Sequence, residues 1–258
     1  MRLDGKKAVI SGASSGIGAA TAEALAEAGA ALFLGARRQD KLEAVAREIR
    51  ARVAGAKVEL HRLDVTDQAS AEAFARAAGS ADILVNNAGL ARGLEPIATG
   101  DVAGFQETLD TNVMGVLRLT RLFLPDMLRR GTGHVVFLGS VAGMDPYAGG
   151  AVYCASKAAV TMIARTLRHE VFGTGLRVSV VDPGLVAGTE FSVVRFRGDV
   201  ERAAKPYQNT QPLTPRDVAE CIAFAATRPP HVNVEDILVL ATAQVGATKV
   251  SRQENKVP

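Results

Sequence analysis

Cysteine is nearly absent: Cys154 and Cys221 are the only two among 258 residues. Two isolated thiols cannot build a disulfide framework or a zinc site. The four histidines, His61, His134, His169 and His231, stand far apart and never at metal-ligand spacing, so no metal is expected. Long apolar runs are missing as well. No uninterrupted stretch reaches the ~18 residues of a membrane span. The first seven residues are charged and the first apolar run is only Ala8-Val9-Ile10, unlike a secretory leader. Charge of one sign is also in short supply: 30 Lys and Arg against 27 Asp and Glu leave a net charge of +3. The densest basic clusters are doublets such as Arg37-Arg38 and Arg129-Arg130, whereas a nucleic-acid footprint gathers basic residues on one face. These absences predict a soluble, cytoplasmic protein with no metal and neither a membrane nor a nucleic-acid partner.

What is present is ordinary for a globular chain: 48% hydrophobic and 22% charged residues, with length enough for one large core. No repeat, low-complexity block or linker divides it, so one domain over residues 1–258 is expected. Short β-branched or leucine-rich runs at 8–11, 31–35, 58–63, 83–86, 134–139, 178–181 and 237–240 predict strands. Between them, alanine-rich helical patterns cover 17–28, 40–54, 70–78, 105–130, 152–172 and 215–227. Strands that read as continuous apolar runs are buried on both faces, as in a parallel sheet covered by helices. The expected fold class is therefore α/β, a doubly wound parallel sheet of about seven strands. Thr214-Pro215-Arg216-Asp217 marks a helix start, Gly29 a helix stop, and Pro125 should kink or divide the 105–130 helix. The least patterned stretch, 188–211, follows a strand and is expected to act as a lid over a site.

The first strand runs into Ser11-Gly12-Ala13-Ser14-Ser15-Gly16-Ile17-Gly18, and a helix follows. Gly12 permits the tight turn, Gly16 lets the backbone approach a pyrophosphate, and Gly18 lets helix and strand pack closely. The spacing is Gly-x-x-x-Gly-x-Gly rather than Gly-x-Gly-x-x-Gly, and in this it resembles the short-chain dehydrogenase/reductase family, whose fold is Rossmann-like. An NAD site carries an acid at the end of the second strand. Here Ala36 stands at that position, followed by Arg37 and Arg38. An acid would repel a 2′-phosphate by about 4 kcal/mol per unit charge at ~4 Å and an effective dielectric of ~20. Alanine removes that repulsion and arginine offers a planar fork, with a Ser14 hydroxyl to add. The expected cofactor is NADP(H). The resemblance adds Asp64 and Val65 as adenine contacts, and Asn87, Ala88 and Gly89, after Asn86, as the ribose-lining motif.

Tyr153-Cys154-Ala155-Ser156-Lys157 puts Tyr and Lys at i and i+4, on one face of a helix. A hydride transfer to a carbonyl needs a proton donor at the oxygen, and a phenol serves if its pKa falls toward working pH. Two pH units cost roughly 2.7 kcal/mol, which a neighbouring ammonium and an oxidised nicotinamide can supply. Ser140 and Asn112 complete a set that matches the family tetrad in type, order and spacing. By that resemblance Tyr153 is the general acid/base, and Lys157 lowers its pKa and holds the nicotinamide ribose. Ser140 orients the substrate carbonyl, and Asn112 holds a water that relays protons to Lys157. Pro183, Gly184, Val186 and Thr189 match the segment that covers the nicotinamide.

The segments 146–150, 183–191, 207–210 and 229–233 further resemble a bacterial subgroup of NADP-dependent 3-hydroxy acid dehydrogenases. Its members oxidise serine, allo-threonine or 3-hydroxy acids, or reduce malonic semialdehyde. Residues 244–258 turn polar and depart from that subgroup, which puts a tail contribution to the pocket in doubt. A 3-hydroxy acid presents a carboxylate, for which Arg195 and Arg197 in the lid are candidates, with Tyr147 on the opposite wall. Alternatives are reduction of a 3-oxoacyl carrier-protein thioester or a general ketone, and a non-catalytic NADP sensor. The 152–172 helix carries apolar residues on two faces, Ala155, Ala159 and Met162 besides Val160, Ile163, Leu167 and Val171. The second face, set against the 105–130 helix, predicts a subunit contact, in keeping with the homotetramer usual in the family.

Overall fold

Seven strands align edge to edge in one sheet, in the order β3-β2-β1-β4-β5-β6-β7, and every pairing is parallel. They are β1 (Lys7–Ser11), β2 (Ala31–Ala36), β3 (Val58–Arg62), β4 (Ile83–Asn86), β5 (Gly133–Leu138), β6 (Leu176–Pro183) and β7 (Asp236–Val239). The computed structural model describes residues 2–252. Parallel neighbours cannot be joined by tight turns, so each connection crosses over through a helix. The helices are α1 (Gly16–Glu27), α2 (Gln39–Arg52), α3 (Gln68–Ala78), α4 (Val102–Leu109), α5 (Gly115–Arg130), α6 (Ala151–Glu170), α7 (Phe191–Arg195), α8 (Val200–Ala204) and α9 (Pro215–Ala226).

Alternate strand residues feed two cores. Ile10, Leu34 and Val85 pack with Leu25 of α1, Leu42 and Ile49 of α2, and Ile222 of α9. Val9, Leu84, Val135 and Phe137 pack with Phe74 of α3, Phe123 and Met127 of α5, and Leu167 of α6. Fully burying one such side chain contributes about 1.5–3 kcal/mol, so both helical layers are held firmly to the sheet. The outer strands differ: β3 and β7 are only partly covered, and each alternates instead of reading as a solid apolar run. Strand order reverses between β1 and β4, which opens a crevice at their carboxyl ends.

Local punctuation follows the sequence in most places. Thr214 and Asp217 form a reciprocal capping box with Pro215 at the first helical position. Gly29, at φ +102°, ends α1. Pro125 does not divide its helix: α5 runs through it to Arg130. Proline removes one donor, and Pro125 and Arg121, whose carbonyl loses its partner, are both exposed, so water can take over. The interruption falls earlier, in a π turn at Asp110–Met114 between α4 and α5. The 188–211 stretch is not patternless either. It folds into α7, α8 and a 3-10 turn at Lys205–Tyr207, elements too short to show periodicity.

Candidate active site

The carboxyl ends of the strands open into a cleft of about 760 Å³. The glycine loop between β1 and α1 forms its floor. A Cβ on Gly12 would stand 2.9 Å from the Ala88 Cα, and one on Gly18 would stand 2.4 Å from the Gly12 carbonyl oxygen. Only glycine lets these backbones meet. The Asn87 amide locks the approach by donating to the Ser11 and Gly12 carbonyls at 2.9 and 3.1 Å. Ser15, the N-cap of α1, does not cap its own helix, so the first amides of α1 remain available to an anion.

The rim near β2 is cationic. Arg38 reaches Ser15 at 3.2 Å and Ser14 at 3.4 Å, and pairs with Glu190 through both terminal nitrogens. Lys41 donates to the same carboxylate. Arg37 is exposed beside them and lines the cleft. Burial pushes the Asp64 carboxyl up, but two hydrogen bonds from Thr66 and the charges of Arg37 and Arg62 prevail and hold it below its ordinary value.

The chemistry-bearing side chains gather around β5 and α6. Ser140 follows β5 and is placed by its own N–H, which donates to the buried Asp182 carboxylate at 2.7 Å. The Tyr153 phenol faces the Ser140 hydroxyl. One turn further along α6, Lys157 sits 6.0 Å from the Tyr153 ring centroid and donates to the Leu138 carbonyl at 2.7 Å. Asn112 lies at the π turn, with its carbonyl accepting from the Leu90 N–H and its amide donating to the Leu90 carbonyl and the Ser156 hydroxyl. Burial pushes the Tyr153 phenol above its ordinary value, and the Ser140 hydrogen bond and the Arg195 charge pull it back only in part. Burial likewise lowers Lys157 to about 8, while the Asp182 carboxylate resists that fall. Desolvation thus opposes ionisation of both members of the Tyr–Lys pair.

Arg195 closes the far side. It is 8% exposed, stacks 5.7 Å from the Tyr153 ring centroid, and donates to the Tyr147 hydroxyl and the Gly93 carbonyl at 2.8 Å each. Phe191, at the start of α7, packs on Tyr153 at 5.3 Å. Arg92 holds the other end of α7 through the Val194 carbonyl.

Most of the residues expected from sequence meet in this cleft: the glycine loop, Arg37 and Arg38, Asp64 and Val65, Asn87 to Gly89, Ser140, Tyr147, Tyr153, Lys157, Pro183, Gly184, Val186, Thr189 and Arg195. Asn112 stands behind the wall and is almost fully buried. Arg197 departs from expectation: its guanidinium turns away to pair with Asp101 and lines a separate depression. A positive φ of 54° at Arg197 accompanies that turn at the end of α7. The doubt about the tail is overturned for its described part. Gln244, Ala247, Thr248, Val250 and Arg252 line the cleft, with the Gln244 carbonyl accepting from the Leu185 N–H at 2.8 Å. The expected tail runs to Pro258, and its last six residues lie outside the described residues. Glu190 and Lys41 went unforeseen, although Lys41 stands three positions after Arg38, in the first turn of α2.

Residues 6–198 match the short chain dehydrogenase family. A protein of Schizosaccharomyces pombe named NADP-dependent 3-hydroxy acid dehydrogenase is 42% identical over 98% of this chain and 99% of its own length. The Escherichia coli K12 protein named NADP-dependent 3-hydroxy acid dehydrogenase YdfG is 40% identical over 92% of this chain and 95% of its own. The solved closed form of serine dehydrogenase complexed with NADP+ superposes with a TM-score of 0.89 at 39% identity, covering 93% of this chain and 97% of that one. Sheet order, glycine loop and sequence agree: the chain belongs to the short-chain dehydrogenase family.

Proposed function

We propose that the protein is an NADP(H)-dependent oxidoreductase, working as one domain. Its substrates are a small 3-hydroxy acid or 3-hydroxy amino acid and the corresponding oxo acid or aldehyde. Arg195 carries the substrate class: a buried guanidinium over the Tyr153 ring, with only part of its donor fork engaged. A carboxylate two carbons from the reacting carbon forms a bidentate pair there, which sets the reacting carbon under the phenol. The names of the similar proteins support the same class.

The donor set fits NADP(H). Ala36 brings no negative charge to the end of β2, Arg37 and Arg38 follow it, and the glycines let backbone amides approach a pyrophosphate. Gly12, Ser14, Ser15, Gly16, Ile17 and Gly18 would hold the phosphates, Asp64 and Val65 the adenine, and Asn87, Ala88 and Gly89 the ribose. Pro183, Gly184, Val186 and Thr189 would cover the nicotinamide. When bound, the cofactor supplies or accepts the hydride. Tyr153 gives or takes the proton at the substrate oxygen, and Ser140 orients that oxygen by hydrogen bonding. Lys157 holds the ribose hydroxyls and, with Arg195, brings the positive charge that a buried phenol needs to ionise. Both amide hydrogens of Asn112 are engaged, so a water relay through this residue uses one of its carbonyl oxygens.

Arg92 pairs with Glu107 and Arg197 with Asp101, which leaves little uncompensated charge there for an acidic carrier protein. A homotetramer and a cytoplasmic location belong to the same reading. The first rests on the exposed apolar side chains of α5 and α6, the second on two free thiols. The test compares 3-hydroxypropanoate and serine with their neutral esters, using NADP+, in wild type and Arg195→Ala. Selective loss of about tenfold or more in kcat/KM on the acids is expected, the scale of one charged hydrogen-bond pair. Equal activity of the wild type on acids and esters would replace this reading with a general carbonyl reductase.

A further inference from the structure

Three elements that frame one end of the cofactor cleft converge on a single carboxylate. Ser15, at the start of α1, donates to Glu190 at 2.9 Å. Arg38, just after β2, reaches it at 2.5 and 3.0 Å, and Lys41, in the first turn of α2, at 2.5 Å. Glu190 itself comes from the opposite wall, immediately before α7. These donors surround the place beyond Ala36 where an NAD enzyme holds the ribose 2′-hydroxyl with an acid. Two cations and a hydroxyl gathered there are the donor set of a phosphate site, and an internal carboxylate fills it.

We infer that Glu190 is a built-in competitor for the 2′-phosphate subsite, exchanging with the cofactor phosphate on Arg38, Lys41 and Ser15 and thereby setting the preference between NADPH and NADH. This rests on the NADP(H) part of the proposed function. The exchange is physically accessible. The Arg38 and Glu190 side chains are 43% and 36% exposed, and pairs open to water are weak enough to trade partners. The incoming group carries nearly two negative charges near neutral pH against one on Glu190, and it presents three acceptor oxygens. The Glu190 carboxyl, held down to about 2 chiefly by Arg38, keeps its charge throughout the working range, so it competes at every relevant pH. Arg37 stands outside the cluster and remains for the phosphate whichever anion holds Arg38. NADH lacks the phosphate and has no need to displace Glu190.

The test is equilibrium binding to the purified full chain, read by nucleotide fluorescence for NADPH and NADH. Calorimetry with adenosine 2′,5′-bisphosphate and adenosine 5′-monophosphate reads the same subsite without the nicotinamide. Glu190→Gln is expected to lower the Kd for NADPH and for the bisphosphate by about three- to fivefold, the upper scale of a partly exposed ion pair. NADH and the monophosphate should change by less than about twofold. Unaltered or weaker NADPH binding in the variant overturns the inference, as does an equal change with NADH, which would make Glu190 a clasp over the cleft. A wild type that binds NADH more tightly than NADPH overturns the cofactor assignment instead, so the two failures are distinguishable.

Discussion

At the scale of single residues, the site sets desolvation against charge. Tyr153 is half-buried among Ser140, Tyr147, Phe191 and Arg195, and the burial of its phenol raises its pKa, the wrong direction for the proposed proton donor near neutrality. Positive charge has to overcome that, and Lys157 and Arg195 stand 6.0 and 5.7 Å from the ring centroid. Tyr153→Phe keeps the ring and its packing but removes the ionisable oxygen. Turnover should fall by at least about a hundredfold, the usual contribution of a positioned acid/base, while NADPH still binds. Steady-state kinetics together with fluorescence titration check both halves; a variant that retained most of its turnover would remove Tyr153 from the role. That Ser140, Tyr153 and Lys157 meet was legible because Ser140 closely follows a recognisable strand and the other two stand one turn apart on a recognisable helix. Glu190 was not, because its meaning comes from Arg38 and Lys41, some 150 residues away along the chain.

At the scale of elements, strand and helix cores were readable wherever one physical signal dominated. The central strands are apolar on both faces, and all five of β1, β2, β4, β5 and β6 fall within two residues of the predicted bounds. The capping signal at Thr214 was equally plain, and it can be measured. Thr214→Ala removes the side-chain acceptor for the Asp217 N–H and the hydroxyl that Asp217 holds, so the first turn of α9 loses its reciprocal bonds. A loss of about 1 kcal/mol is expected in urea unfolding, with no change in the slope against denaturant. The π turn left no such mark. Nothing in Asp110-Thr111-Asn112-Val113-Met114 distinguishes it from an α-helical turn; the inward bonds from Asn112 to Leu90 and Ser156 accompany it. The short helices α7 and α8 escaped for a related reason, since five residues span too little of a 3.6-residue period to declare themselves.

At the scale of the whole molecule, apolar surface remains where the α5–α6 layer faces outward. Met114, Leu117 and Met162 are 44%, 39% and 60% exposed, while Val160, Leu167 and Val171 of the same layer are buried against the sheet. The two-faced pattern seen in the 152–172 sequence is therefore real in space, and the outer face lacks a cover within the described chain. Met162→Glu places a charge in the centre of that face without touching the cleft. Light scattering at micromolar concentration should show an oligomer for the wild type and a smaller species for the variant, with the circular dichroism spectrum unchanged. A monomeric wild type would count against the contact.

The π turn between α4 and α5 has one more consequence. It amounts to a single extra residue within one turn, and it sets the two helices out of phase by about 100°. A deletion anywhere in the turn would restore an uninterrupted helix, a locally favourable event. It would also rotate Val116, Leu119, Phe123 and Met127 off the sheet, because the whole of α5 shares one phase. The insertion that brings Asn112 inward is thus locked by the core between α5 and the sheet. A lineage carrying this chain can exchange the asparagine by point substitution, but it cannot lose the geometry around it without losing a layer of the fold.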